Sequence, residues 1–253
     1  MKSENEWIQA GFFLVTEGIP ALKDQQFLPP RIITASACMA DVYPDERMLS
    51  WVKTSPEELA GIRDELKLSE SEFEDLRALV DQSFESGFGW PRVILDLTFA
   101  REFNRRYLQA VRGVHLLGMC ITADDAEKCR QYIVSLSSES AGETGFQKMF
   151  SRRQPCVDSG VFLGFDVIGP EYYGAFHTFS CDDLAKDFVE KLGITFNAHG
   201  LIPDEEKAFA AAEYANREET GAELVPWFAV KLYEYDLTSL ARSKHKVGSD
   251  VAM

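Results

Sequence analysis

The sequence predicts an α+β fold, a mainly antiparallel sheet flanked by helices in a single domain. Three observations carry this. Short runs rich in β-branched and aromatic residues recur at 7–15, 114–121, 160–168, 175–179 and 227–235, with 31–38 as a further strand. Between them lie segments with apolar residues at helical spacing, several opened by capping residues. The short link between 160–168 and 175–179 implies an antiparallel hairpin.

Taken in order, Trp7 to Val15 is apolar on both faces and reads as a buried strand, ended by Gly18 and Pro20. Arg31 to Val42 is small and apolar and reads as strand. Ser55 is the N-cap of a helix with Pro56 at its first position, and Leu59, Ile62 and Leu66 form its stripe. Ser69 with Glu72 is a capping box. It opens a helix carrying Phe73, Leu76, Val80 and Phe84, stopped by Gly87 and Gly89. A third helix presents Phe99, Phe103 and Tyr107 on one face and Arg101, Arg105 and Arg106 on the others.

After the strand at 114–121, Thr122 caps a helix with Ala126, Cys129, Tyr132 and Ile133 inward. The densest apolar stretch, Ser159 to Ile202, reads as strand, turn, strand, helix. Gly164 inside the first strand marks a bulge or a close neighbour. Ser180 and Asp183 form a capping-box-like pair before a helix with Leu184, Phe188, Val189 and Leu192 on its stripe, closed by Gly193. Pro203 opens a further helix with Asp204, Glu205 and Glu206 in its first turn, and with Phe209, Ala212 and Ala215 apolar. Pro226 beside the last strand fits an edge position. The domain is expected to span residues 1–240, with a possible subdivision at the Ser-rich loop 135–145 and a disordered tail at 241–253.

At 253 residues the chain can bury roughly 70–75 % of its unfolded surface. Its 45 % hydrophobic and 26 % charged residues are ordinary for a globular protein. Its charge is not. Twenty-six Lys and Arg against forty-one Asp and Glu give −15, a surface that repels nucleic acid and anionic membrane and attracts basic proteins. Residues 55–87 hold ten acids and three bases. No apolar run is long enough to span a membrane, and Glu4 and Glu6 before a run broken by Gln9 do not form a signal peptide. The five cysteines, Cys38, Cys120, Cys129, Cys156 and Cys181, show no CxxC spacing. They are expected to be free thiols in a reducing, cytoplasmic compartment.

No phosphate-binding glycine loop, nucleophile elbow or HExxH pair occurs. His177 and Cys181, four residues apart, suggest a thiol nucleophile with a nearby base. A buried Cys and a hydrogen-bonded His explain the same pair. His177, Cys181, Asp182, Asp183 and His199 are metal-ligand types without a second pair at matching spacing. Trp90, Trp227, Tyr172 and Tyr173 are aromatics for a ligand cleft, or simply core and rim. No catalytic residue, metal site or cofactor is assigned.

The segments LGFDVIG, GAFHTFSCDDLAKDFVEKLGITFNAHGLI and PWFAVKLY resemble a pattern in bacterial proteins similar to immunity proteins encoded beside polymorphic toxins. The resemblance covers about a third of the chain, at 161–235. It implies a cytoplasmic protein that binds and neutralises one cognate toxin, and it implies no catalytic residue. A basic toxin would be met quickly by an acidic inhibitor. The partner surface is then expected at Glu70, Glu74, Asp75, Asp81 and Glu85 on one helix and at Asp204 and Glu205 on another. The alternatives are a small-molecule hydrolase or transferase using the His177/Cys181 region, and a non-catalytic scaffold.

Overall fold

The computed structural model describes residues 6–44, 55–83, 93–136, 149–170 and 176–238. Its strands are β1 (Trp7–Val15), β2 (Val42–Tyr43), β3 (His115–Thr122), β4 (Val161–Pro170), β5 (Phe176–Thr178) and β6 (Phe228–Tyr235). They form one antiparallel sheet in the order β2-β1-β3-β6-β4-β5. The helices are α1 (Pro56–Leu66), α2 (Glu70–Ser83), α3 (Leu97–Tyr107), α4 (Ala123–Leu136), α5 (Ala185–Leu192) and α6 (Glu205–Ala215). This is the α+β single domain that the sequence predicts. Of the loop expected at 135–145, Ser135 and Leu136 belong to α4 and the rest lies outside the described residues, as do the tail expected at 241–253 and Phe84.

Alternation along β6 shows how the helices are placed. Phe228, Val230 and Leu232 enter a core with Ala126, Cys129 and Ile133 of α4. Tyr235 packs with residues of α1, α2 and α3, and Ala229 with α5 and α6. Both sheet faces are therefore covered, and the central strands are apolar on both sides. Of the expected stripes, Ile62 and Leu66, then Phe73, Leu76 and Val80, then Phe103 and Tyr107 are buried, while Leu59 and Phe99 are half-buried against the same core.

Local capping follows the residue types. Ser55 accepts from Glu58 N at 3.2 Å while Glu58 accepts from Ser55 N at 2.8 Å. The Ser69–Glu72 pair repeats this, and Thr122 accepts from Asp125 N at 3.1 Å. Gly193, at φ 61, donates to Val189 O and closes α5. Gly164, at φ +143, stands where the β4–β6 register slips. A Cβ there would lie 2.8 Å from Leu201 Cβ, so the close neighbour is the loop after α5.

Five expectations are corrected. Residues 31–38 form no strand beyond an Ile32–Gly18 bridge, because the chain turns at Ser36, whose carbonyl accepts from Met39 N and Ala40 N. β6 is central, between β3 and β4. Pro226 is tolerated because the strand starts two residues later, so no ladder hydrogen bond is lost. Ser180 and Asp183 do not cap α5: residues 179–182 form a 3₁₀ turn and Asp183 is left-handed at φ 57. Glu205, not Pro203, is the first residue of α6, and Asp204 caps it, its side chain accepting from Lys207 N at 2.9 Å. Finally, Cys120 of β3 and Cys156 are joined as a disulfide across 36 residues, since the segment before β4 runs back along the sheet. Cys38, Cys129 and Cys181 are free thiols.

Candidate functional site: a thiol and imidazole cluster

The 31–40 segment supplies the site's first wall. Thr34 Oγ1 donates to Asp166 Oδ2 at 2.9 Å, and Ile33 N donates to His199 O at 3.0 Å. Ser36 N donates to Thr34 Oγ1, and Cys38 N to Ser36 Oγ. These bonds fix a turn of small residues with Ser36 buried and Cys38 exposed.

The hairpin supplies the second wall. β5 is the edge strand, paired to β4 through Ile168↔Thr178 and Gly169↔His177. Thr178 Oγ1 donates to Asp166 Oδ1 at 2.6 Å, so one buried carboxylate holds both walls. The 3₁₀ turn after β5 places Cys181, whose sulfur accepts from Thr178 N at 3.4 Å and lies 3.4 Å from Ser36 Oγ. Cys38 Sγ is 3.9 Å from His177 Nδ1. Sulfur or ring nitrogen atoms of Cys38, His177 and Cys181 all lie within 4.8 Å of one another.

The two thiols differ in environment. The neighbouring Cys181 thiol and His177 hold the Cys38 thiol well below its ordinary pKa. The Cys38 sulfur, then burial, push Cys181 up. Burial also raises the Asp182 carboxyl, whose Oδ2 has no hydrogen-bond partner among the described residues. His177 lies against the buried Trp227 ring, with centroids 6.4 Å apart. Beside Cys38 opens a cleft of ≈ 430 Å³ lined by Thr16, Glu17, Arg31 and Asp41 among others.

The fold thus brings His177 and Cys181 together and adds Cys38, which the sequence did not single out. Cys38 is 139 residues from His177, so no spacing signals it. The only local sign is the run Ala35-Ser36-Ala37-Cys38, small enough for a close turn. His199 contributes its backbone carbonyl to this wall, and Asp183 pairs with Lys23 at 2.6 Å. Trp227 is core, while Trp90, Tyr172 and Tyr173 lie outside the described residues.

The expected partner surface is placed as follows. Glu70 pairs with Arg63, Glu74 with Arg77 at 3.2 Å, and Asp75 with Arg106 and with Tyr107 Oη at 3.0 Å. Asp81 belongs to α2 with its side chain undescribed, and Glu85 lies outside the described residues. Asp204 caps α6, and Glu205 is 3.4 Å from Lys231. Arg105 pairs with Glu102 and Arg101 donates to Asp236 O, so the arginines of α3 are engaged with internal partners.

Compared with known proteins, the chain matches no family model, no curated protein and no solved structure.

Proposed function

We propose that this chain carries out thiol–disulfide exchange, with Cys38 as the attacking thiol and Cys181 as the resolving one. The observation that carries the reading is the asymmetric pair: an exposed Cys38 and a half-buried Cys181 within 4.8 Å, with His177 at the same point. Exchange proceeds by attack of a thiolate on a disulfide sulfur, and an accessible low-pKa thiol beside a second thiol suits it. Cys38 Sγ bonds to one sulfur of a substrate disulfide, whose S–S bond breaks and whose other sulfur leaves as thiolate. Cys181 then gives its proton to His177 and attacks Cys38 Sγ. The mixed disulfide breaks, and the second substrate sulfur leaves and takes up that proton. The substrate gains two electrons, the chain ends as a Cys38–Cys181 disulfide, and an external thiol reductant restores it. Closing to a bond of about 2.05 Å requires side-chain rotation, which the exposed Cys38 can make.

The test is alkylation of the metal-free, native protein at neutral pH, followed by peptide mapping. Cys38 is expected to react at least about tenfold faster than Cys181 or the buried Cys129. A small disulfide is expected to generate a Cys38–Cys181 link, and Cys181→Ser to accumulate the mixed disulfide on Cys38. Equal reactivity of all three thiols, or oxidation without that link, would remove the reading.

A second reading, that of an immunity-type inhibitor in the bacterial cytoplasm, draws on a different face. Val161 and Phe162 at the start of β4 are 67% and 44% exposed, and Phe162 borders a cleft shared with Asp204, Glu205 and the Lys231 that pairs with Glu205. Exposed apolar residues on a chain of net charge −15 suit a basic protein partner. Phe162→Ser is expected to weaken binding to the basic product of a neighbouring gene by about tenfold or more. Unchanged affinity would exclude this face.

A further inference from the structure

We infer that the reduced Cys38–His177–Cys181 cluster binds a thiophilic divalent cation of the zinc class, with three protein ligands and a fourth, exchangeable position. The inference rests on the same three side chains as the exchange reading but requires no electron transfer.

The donor set carries it first. Two sulfurs and an imidazole nitrogen select zinc-class ions over magnesium or calcium, which take oxygen ligands. Three such ligands plus one exchangeable position is the pattern of sites where zinc contacts a substrate or water. Distance carries it second. Tetrahedral zinc with Zn–S of about 2.3 Å and Zn–N of about 2.0–2.1 Å sets its ligand atoms roughly 3.5–3.8 Å apart. Cys38 Sγ and His177 Nδ1 are already 3.9 Å apart, and no pair in the cluster exceeds 4.8 Å. A contraction of at most about 1.3 Å between any two of these atoms completes the geometry.

The surroundings carry it third. Thr178 N points at Cys181 Sγ, and Ser36 Oγ lies 3.4 Å from it. Hydrogen bonds of this kind orient a ligating thiolate and offset part of its charge. The buried Asp166 braces both walls through Thr34 and Thr178, so two ligand-bearing segments are held in register before an ion arrives. Binding and exchange then exclude one another. Forming the Cys38–Cys181 disulfide consumes two ligands and releases the ion, while a bound ion shields the thiols from attack.

The test uses the full chain, reduced and treated with chelator, then titrated anaerobically with Co²⁺ and back-titrated with Zn²⁺. One equivalent of Co²⁺ is expected to give a sulfur-to-cobalt charge-transfer band that Zn²⁺ abolishes. Cys38→Ser and Cys181→Ser are each expected to weaken binding by about 100-fold or more, beyond what loss of an outer hydrogen bond causes. Cys129→Ala, at a core position away from the cluster, is expected to leave cobalt affinity unchanged. If Cys181→Ser fails to fold, Cys38→Ser, altered at an exposed turn, decides the matter. Absence of the band in the wild-type chain, or its survival in Cys38→Ser, overturns the inference. Metal-free disulfide mapping reads the exchange reaction separately. A Cys38–Cys181 link without cobalt binding would defeat this inference alone, and cobalt binding without the link would defeat the exchange reading alone.

Discussion

Asp166 is fully buried, and its carboxylate accepts from Thr34, Thr178 and Val167 N. Burial outweighs those bonds and raises its pKa from 3.8 to about 6. The unfolded carboxyl releases its proton near the ordinary value, whereas the folded one keeps it to about 6. Between these pH values the native state binds more protons, so this residue's contribution to stability falls as pH rises and is flat above the window. The difference corresponds to roughly 3 kcal/mol. In Asp166→Asn that slope disappears. The wild-type-minus-variant unfolding free energy is expected to drop by roughly this amount between about pH 4 and pH 6.5, measured by denaturant titration. A difference independent of pH would mean that Asp166 ionises in the fold as readily as in the unfolded chain. At the same scale, Ser36 matters because its Oγ accepts from Cys38 N and lies 3.4 Å from Cys181 Sγ, linking the two thiol-bearing segments.

The element that most depends on a remote residue is α5. It starts at Ala185 after a left-handed Asp183, and its flanking Leu184 has no side-chain oxygen to offer. Asp24 takes that role: its Oδ2 accepts from Ala185 N at 3.2 Å, 161 residues away. α5 in turn buries Ala185 and Phe188 in the core shared with α6. Removing a capping carboxylate typically costs about 0.5–2 kcal/mol. Asp24→Ala is expected to fall in that range and to speed amide exchange at Ala185 and Lys186 before exchange elsewhere in the sheet. Uniform acceleration across the whole sheet, with no excess at those amides, would show that Asp24 acts through packing and not as a cap. The β4–β5 hairpin, by contrast, is fixed by its own ladder, and its edge position keeps His177 within reach of the 31–40 turn.

For the molecule as a whole, the −15 charge is a field and not a set of contacts. Several acids of α2 already pair with Arg63, Arg77 and Arg106, and exposed pairs of this kind add little to stability. If a basic protein is the partner, association through the Phe162 face is expected to slow as salt rises toward about 1 M, where screening is nearly complete. A salt-independent rate would leave that face without an electrostatic role. Among the described residues no helix is long and apolar enough to cross a membrane. The sequence by itself determined the α+β class, the strand cores, the β4–β5 hairpin and the caps at Ser55, Ser69, Thr122 and Gly193. Each rests on side chains a few residues apart, where propensity and hydrogen-bond reach act directly. Only the tertiary structure decided that β6 is central, that Cys120 meets Cys156, that Asp24 caps α5 and that Cys38 joins His177 and Cys181. Those contacts span 36 to 161 residues and follow from strand order and loop return, for which no local pattern in the chain provides a code.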